Sequence, residues 1–267
     1  MNTIDFCPRR FGAVLRRDLR MELSTWLWRI LAMVAVMAAI NLFFAWVVYH
    51  ASGHSVSAQN IAITYVCWMS TSIFTTLGAS HFMQGYATPG ERLNQLMSPA
   101  STLEKFASRF VISVVGVTVA VIIAWYIAEF VRVVGGEYIF DAGLVPVTGW
   151  WTALCSFQEV DGANLFPVDI LLMTLVTWQS FYVLGSAVWL KNAFLKTIAA
   201  CFVLEFVFGF AAGFVAELFK EHLIISGITM SVSAIHAGII VYMIICTLFA
   251  YITTYYRMRE EEIIQRM

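Results

Sequence analysis

Three ionisable side chains stand inside apolar stretches of this 267-residue chain: Glu129, Glu205 and His236. Charge is expensive in hydrocarbon, so each is a candidate for lining a polar pathway or for pairing between helices. Glu205 falls nearest the middle of its stretch, and a transport or packing role stays open there beside a satisfied structural hydrogen bond. Glu129, like Glu217, falls near an outer end and is expected to reach headgroups or water. His236 reads as structural. The chemistry that is missing is as informative. No GxxxxGK[ST] loop occurs to cradle nucleotide phosphates, so any ATP must be hydrolysed on another chain. HExxH, GxSxG and clustered metal ligands are also missing, and with them the common hydrolase and metal chemistries. Cys7, Cys67, Cys155, Cys201 and Cys246 show no CxxC spacing, which argues for small core residues over a disulfide framework or zinc site.

The elements that must position these residues are helices in a membrane. A mean hydropathy of +0.79, with 60% hydrophobic and 12% charged residues, lies far from the soluble average of about 25% charged. No polar segment is long enough for an independent core, and no basic tract invites nucleic acid. The expected fold is all-α and polytopic, with six transmembrane helices after an N-terminal interfacial helix.

In residues 1–26, Phe11, Val14, Leu15, Leu19, Leu23 and Trp26 recur at helical spacing, with Arg9, Arg10, Arg16, Arg17 and Arg20 largely opposite. Such a helix lies in the membrane interface, or else serves as a positive anchor. The six-span domain occupies 27–255, with spans at about Leu27–Tyr49, Ile61–Ser80, Phe106–Val131, Val168–Leu190, Phe194–Leu218 and Ile224–Tyr255. An acidic outer segment fills 132–167, and a charged tail fills 256–267. Span two is rich in Ser, Thr and Gly, which suits close helix packing. Gly209 and Gly213 form a GxxxG in span five, consistent with a helix contact within or between subunits. With both termini inside, all of the sixteen Lys and Arg except Arg132 and Lys220 fall on the cytoplasmic side or its boundary. The chain is therefore expected in a bacterial cytoplasmic membrane with both termini cytoplasmic.

The polar stretch from Ser80 to Phe110 breaks this apolar chain on the cytoplasmic side. Thr88 or Pro89 begins a short helix through Glu91, Arg92, Leu93, Gln95, Leu96 and Met97, which Pro99 stops. Ser101 followed by Glu104 is a capping box that opens span three. A short helix parallel to the membrane, joined to a capped span, is a lever.

The run from Glu91 to Arg109, ERxxxLMxPASxxEKxxxR, resembles the loop between the second and third spans of ABC-2 type transporter permeases. The six-span plan and the missing ATPase motifs are similar to that family across most of the chain. The resemblance implies that the 81–105 loop is a coupling helix docking on a separate ATP-binding subunit, which holds the ATP and Mg. Its contacts would be Glu91, Arg92, Leu93, Leu96 and Met97, with Lys191 and Asn192 of the second inner loop as a smaller contact. It further implies an exporter built as a homodimer or heterodimer of permeases among membrane lipids. No span carries the dense charge of an ion pathway, so a lipid, peptide or amphiphilic small molecule is the expected substrate. The chain departs from the family in placing its longer outer segment between spans three and four. A non-transporting scaffold or immunity-type protein is the alternative. Glu261, Glu262 and Arg266 also read EExxxR, a pattern of CAAX-type intramembrane proteases, but His236 is a weak substitute for that family's histidine motifs.

Overall fold

A computed structural model describes residues 6–51, 56–140, 168–207, 210 and 232–264. The described residues form helices and connecting turns, with no strand among them. Helix α1 runs Pro8–Ala51 and α2 runs Val56–Ala79. A 3-10 turn at Gln84–Tyr86 leads to the short α3, Pro89–Met97. Helix α4, Thr102–Phe110, passes through a π-helical segment, Val111–Gly116, into α5, Val117–Phe140. Helix α6 is Val168–Val188, α7 covers residues 193–207, and α8 is Val232–Ile264.

Among the described residues, four helical stretches are long and apolar enough to cross a membrane: Pro8–Val47, Thr102–Gly135, Asp169–Val188 and His236–Glu261. The sequence reading expects six spans. The side chains of 61–65 at the start of span two and the far half of span five, with Gly209 and Gly213, lie outside the described residues or side chains, as do Glu217 and the 141–167 part of the outer segment.

Large apolar side chains face outward, and polar ones are buried beside an apolar interior. Leu27, Trp28 and Leu31 on α1, Ile123 and Phe130 on α5, and Leu248 and Phe249 on α8 are exposed, while Asn41, Thr71, Thr75, Ser108 and Gln179 are buried. A hydrocarbon solvent rewards this arrangement, because apolar surface costs nothing outside and polar groups must be satisfied inside. Helix α2 supplies a close seam. Its Thr75 and Thr76 hydroxyls donate to the carbonyls of Thr71 and Ser72, four residues back, at 2.8 and 2.7 Å, so they can be buried without an outside partner. A Cβ on Gly78 would stand 2.4 Å from Val117, a contact only glycine permits.

Two apolar clusters fill the bundle. One joins α1, α2 and α5 through Met33, Met37, Cys67, Val121, Ala124 and Trp125. The other, at the α3 end, joins the 80–86 turn to α6 and α8 through Phe82, Met83, Tyr86, Tyr182, Val183 and Met258. Phe106 links the second cluster outward, its ring 5.3 Å from Phe82 and 5.7 Å from Tyr255.

The two ends of the described bundle add detail to the sequence reading and correct it in part. The expected interfacial helix, 1–26, is no separate element: α1 continues through Trp26, because no Gly or Pro follows Gly12 before Ala51. Its 44 residues extend about 66 Å at 1.5 Å per residue. Leu19 and Leu23 are exposed, whereas Val14 and Asp18 are buried, so the face turned inward carries a carboxylate. The first residues of the expected outer segment, from 132, are helical, since α5 carries on to Phe140. Glu129 does not reach solvent either. It is 6% exposed and meets Arg132, itself 0% exposed, through Nε to Oε2 at 2.8 Å and Nη2 to Oε1 at 2.6 Å. The pair cancels its own charge one turn apart, which lets the helix run on.

Candidate functional site

The site is built where α1, α3 and α4 meet. Helix α4 starts on Ser101, whose hydroxyl accepts from the Glu104 N–H at 3.3 Å while Glu104 Oε2 accepts from the Ser101 N–H at 3.0 Å. Each group satisfies a donor the helix start would otherwise leave open. The other oxygen of Glu104 leaves the box: Oε1 accepts from the Cys7 N–H at 2.8 Å and faces Arg10 Nη2 at 3.3 Å. The residue that caps α4 therefore also holds the first turn of α1. There, the N–H groups of Arg10 and Arg9 lower the Cys7 thiol below its ordinary value.

Two carboxylates one turn apart on α1 return the contact. Asp18 Oδ2 accepts from the Ser108 hydroxyl at 2.9 Å, and Asp18 Oδ1 takes the Arg17 guanidinium at 2.9 and 3.2 Å. Glu22 Oε1 accepts from Arg109 Nη1 at 2.7 Å, and Oε2 from the Trp26 indole at 3.2 Å. Asp18 and Ser108 are essentially fully buried, so the bond between them is charge-assisted and shielded from water. The Arg109 guanidinium lies against Gly85, where a Cβ would stand 2.2 Å from its Nη2. Glycine at 85 is what admits that arginine to the clamp.

Helix α3 is tied to the same assembly by its inner face. Arg17 Nη2 donates to Gln95 Oε1 at 3.1 Å, and Arg92 donates twice to the Tyr86 carbonyl, at 3.1 and 3.0 Å. Proline at its first position costs no hydrogen bond. The outer face carries Leu93 and Met97, four residues apart and 60% and 83% exposed. Of the expected partner contacts, Glu91 and Leu96 lie within α3, but their side chains are outside those described.

The loop between α6 and α7 comes to the same end. Lys191 and Asn192 are exposed, with Asn192 at φ 56°, a left-handed turn position that asparagine tolerates. Trp189, Leu190 and Phe194 from this loop share a cavity of about 380 Å³ with His81, Met83 and Ala87 from the 80–88 turn. Burial lowers His81, with Arg29 adding to it, while the bond from Nδ1 to the Leu77 carbonyl at 2.7 Å opposes the shift.

No family model, curated protein or solved structure matches the chain.

The remaining sequence candidates disperse. Glu205 is exposed on α7 among the exposed Phe202, Leu204 and Phe206. His236 stands at the start of the last apolar stretch, Nε2 3.0 Å from Asp169 Oδ2 of α6, an ion-pair distance without good hydrogen-bond direction. Glu261 lies on the same helix 25 residues further on, about 37 Å away along the axis, so the two cannot share a reacting atom. Arg266 is outside the described residues. Groups of three or more metal-ligating side chains are lacking among the described residues.

Two features of the site escaped the sequence reading. Asp18 and Glu22 were legible as an i, i+4 acidic pair amid arginines, but their partners stand some 90 residues away. The π-helical segment carries no sequence signal. Gln179 of α6 meets it, donating to the Val114 carbonyl and to the Thr118 hydroxyl at 3.3 Å each, and so serves a carbonyl in the widened turn.

Proposed function

We propose that the chain is a membrane-spanning permease subunit of an ATP-binding cassette exporter, with six spans, cytoplasmic termini and the α3 end turned toward a separate ATPase subunit. The observation that carries the reading is the join of α3 to α4 and α1. A short helix offers an exposed apolar pair, Leu93 and Met97, and its inner face is bonded to α1 through Gln95 and Arg17. Helix α4 is capped at Ser101, locked to α1 by Glu104, Ser108 and Arg109, and continuous in direction with a long apolar helix. A push on α3 is passed to two long helices at once, because bonded and packed elements move as a unit.

Charge supports the orientation. Exposed Arg16 and Arg20 on α1, Lys191, and Arg257 and Arg259 near the end of α8 are the positive groups expected to stay in the cytoplasm. ATP is bound and hydrolysed on the partner in this reading, and two permease subunits, alike or related, enclose the pathway.

Purification of the tagged full chain from its native membrane tests the proposal. The expected result is co-purification of a Walker-motif ATPase with vanadate-sensitive activity, and loss of that chain in Leu93→Asp/Met97→Asp. Undiminished association in the double variant removes α3 as the docking element. A correctly inserted chain that brings down no ATPase overturns the transporter reading in favour of a scaffold.

A further inference from the structure

A cavity of about 440 Å³ lies between α1, α2 and the π-helical segment, within the range of roughly 300–1,000 Å³ common to small-ligand sites. It is asymmetric along α1. Glu22 and Arg29 stand at one end with His81 and Gln84, whereas Met33 and Val36 of α1, with Phe74 of α2 and Val117 of α5, line the other. From Glu22 to Val36 is about 21 Å along the helix at 1.5 Å per residue, so the cavity is long, polar at the α3 end and apolar beyond.

The polar end has an unbalanced charge. Glu22 is fully engaged, one oxygen by Arg109 and the other by the Trp26 indole. Arg29 faces no carboxylate within ion-pair distance among the described residues, and its polar contact is a single bond from Nη2 to Gln84 Oε1 at 3.1 Å. A neighbouring cavity of about 200 Å³ shares Glu22, Trp26, Arg29 and Gln84 and adds Arg109. Two guanidiniums and one carboxylate thus border the polar end, leaving a net positive charge beside it. Arg29 and Val36 are both exposed, which opens the cavity sideways along the outer surface of α1.

We infer that this cavity binds an anionic phospholipid, its phosphate on Arg29 and one acyl chain along Met33, Phe74 and Val117. The inference rests on the chain spanning a membrane with its α3 end at the cytoplasmic face; it does not rest on an ATPase partner. Arginine suits a phosphate because its planar fork donates two parallel hydrogen bonds. Gln84 holds the guanidinium in place without neutralising it. Burial of an acyl chain beside the headgroup is what separates this ligand from free phosphate, since each methylene adds to affinity. A lipid seated here would touch α1, α2 and the π-helical segment together, and its binding would bear on how those helices pack.

Native mass spectrometry of the delipidated full chain in detergent provides the test, with phosphatidylglycerol and phosphatidylcholine of identical chains and inorganic phosphate as probes. Phosphatidylglycerol is expected to be held about tenfold more tightly than phosphatidylcholine. Arg29→Gln removes that preference, and Arg20→Gln, an exposed arginine outside the cavity, leaves it. Val36→Trp, which fills the mouth from an exposed position, weakens both lipids. An unchanged melting temperature in the variants assigns these losses to the site. Equal loss in Arg29→Gln and Arg20→Gln means diffuse charge attraction and overturns the proposal. So does equal retention of the two lipids, or displacement by millimolar inorganic phosphate. None of these readouts requires the ATPase, so failure of the transporter reading and failure of this one are told apart.

Discussion

Two sets of carboxylate contacts sit in this bundle and do different work. At the α3 end, Asp18, Glu22 and Glu104 each reach across from one helix to another, joining α1 to α4 between residues some 90 positions apart. Toward the far end of α5, Glu129 and Arg132 face each other one turn apart on a single helix. The first set fixes the relation of two helices. The second neutralises charge inside one of them and allows it to remain apolar overall as it runs to Phe140. The second is buried on both sides and the first only in part, with Glu22 and Arg10 half-exposed, but only the first can carry a displacement from one element to the next.

The comparison breaks most sharply at Arg132. Replacing it by methionine leaves the Glu129 carboxylate buried without its bidentate partner, a loss of about 3–5 kcal/mol. In Glu129→Gln/Arg132→Met, most of that stability should return, because no ion is then left in the low-dielectric interior. Thermal unfolding of the purified chain in detergent measures both. If the single and double variants are equally unstable, the pair is an architectural contact and its charge balance is irrelevant.

The inter-helix set predicts a smaller and more distributed effect. Ser108→Ala removes one donor to the buried Asp18 and should cost about 1–3 kcal/mol. The double change Glu22→Gln/Arg109→Gln should cost less than the sum of the two single changes, and the double-mutant cycle should return a coupling of about 0.5–3 kcal/mol. A coupling near zero would mean that Glu22 and Arg109 act independently, and that α1 and α4 are joined by the Asp18–Ser108 and Glu104–Cys7 bonds alone.

The same contrast explains which parts were legible in the sequence. The capping box was readable because Ser101 and Glu104 are three residues apart and both choices serve one helix start. The Glu129–Arg132 pair has an equally local spacing, yet hydropathy puts a span boundary at Val131 and so splits it. Average hydropathy counts each charge as a cost and does not see that two opposite charges on one helical face cancel. The clamp was illegible for a different reason: Asp18 and Glu22 look like solvated charges among arginines until α4 is folded against them. The length of α1 was legible in principle, as the uninterrupted run after Gly12 has no stop signal, but the change from arginine-rich to apolar composition at Trp26 suggested a break that the backbone does not make.

Ser101 sharpens the comparison at its local end. Ser101→Ala should cost about 1 kcal/mol, the usual value of a lost N-cap, and Ser101→Thr should keep most of it. The informative readout is proteolysis at the α4 start. Glu104 also holds the Cys7 N–H and Arg10, so loosening the cap should raise cleavage in the first turn of α1 as well. Cleavage confined to residues 98–104 would show that the box and the clamp act separately.

The smallest stability effect is expected at Leu93 and Met97, and that smallness is the point. Both side chains are exposed, and neither is part of the bonds through Arg92 and Gln95 that hold α3 in place. Leu93→Asp and Met97→Asp should each change unfolding by no more than about 0.5 kcal/mol, as exposed substitutions usually do. Gln95→Ala, by contrast, removes the acceptor of Arg17 beside the buried Asp18 and should be measurably destabilising. A face that is silent in the isolated chain but abolishes association with an ATPase is a docking surface. If Leu93→Asp destabilises the isolated chain as much as Gln95→Ala, its outer face is already occupied within the fold. The coupling role would then have to move to Lys191 and Asn192 on the neighbouring loop.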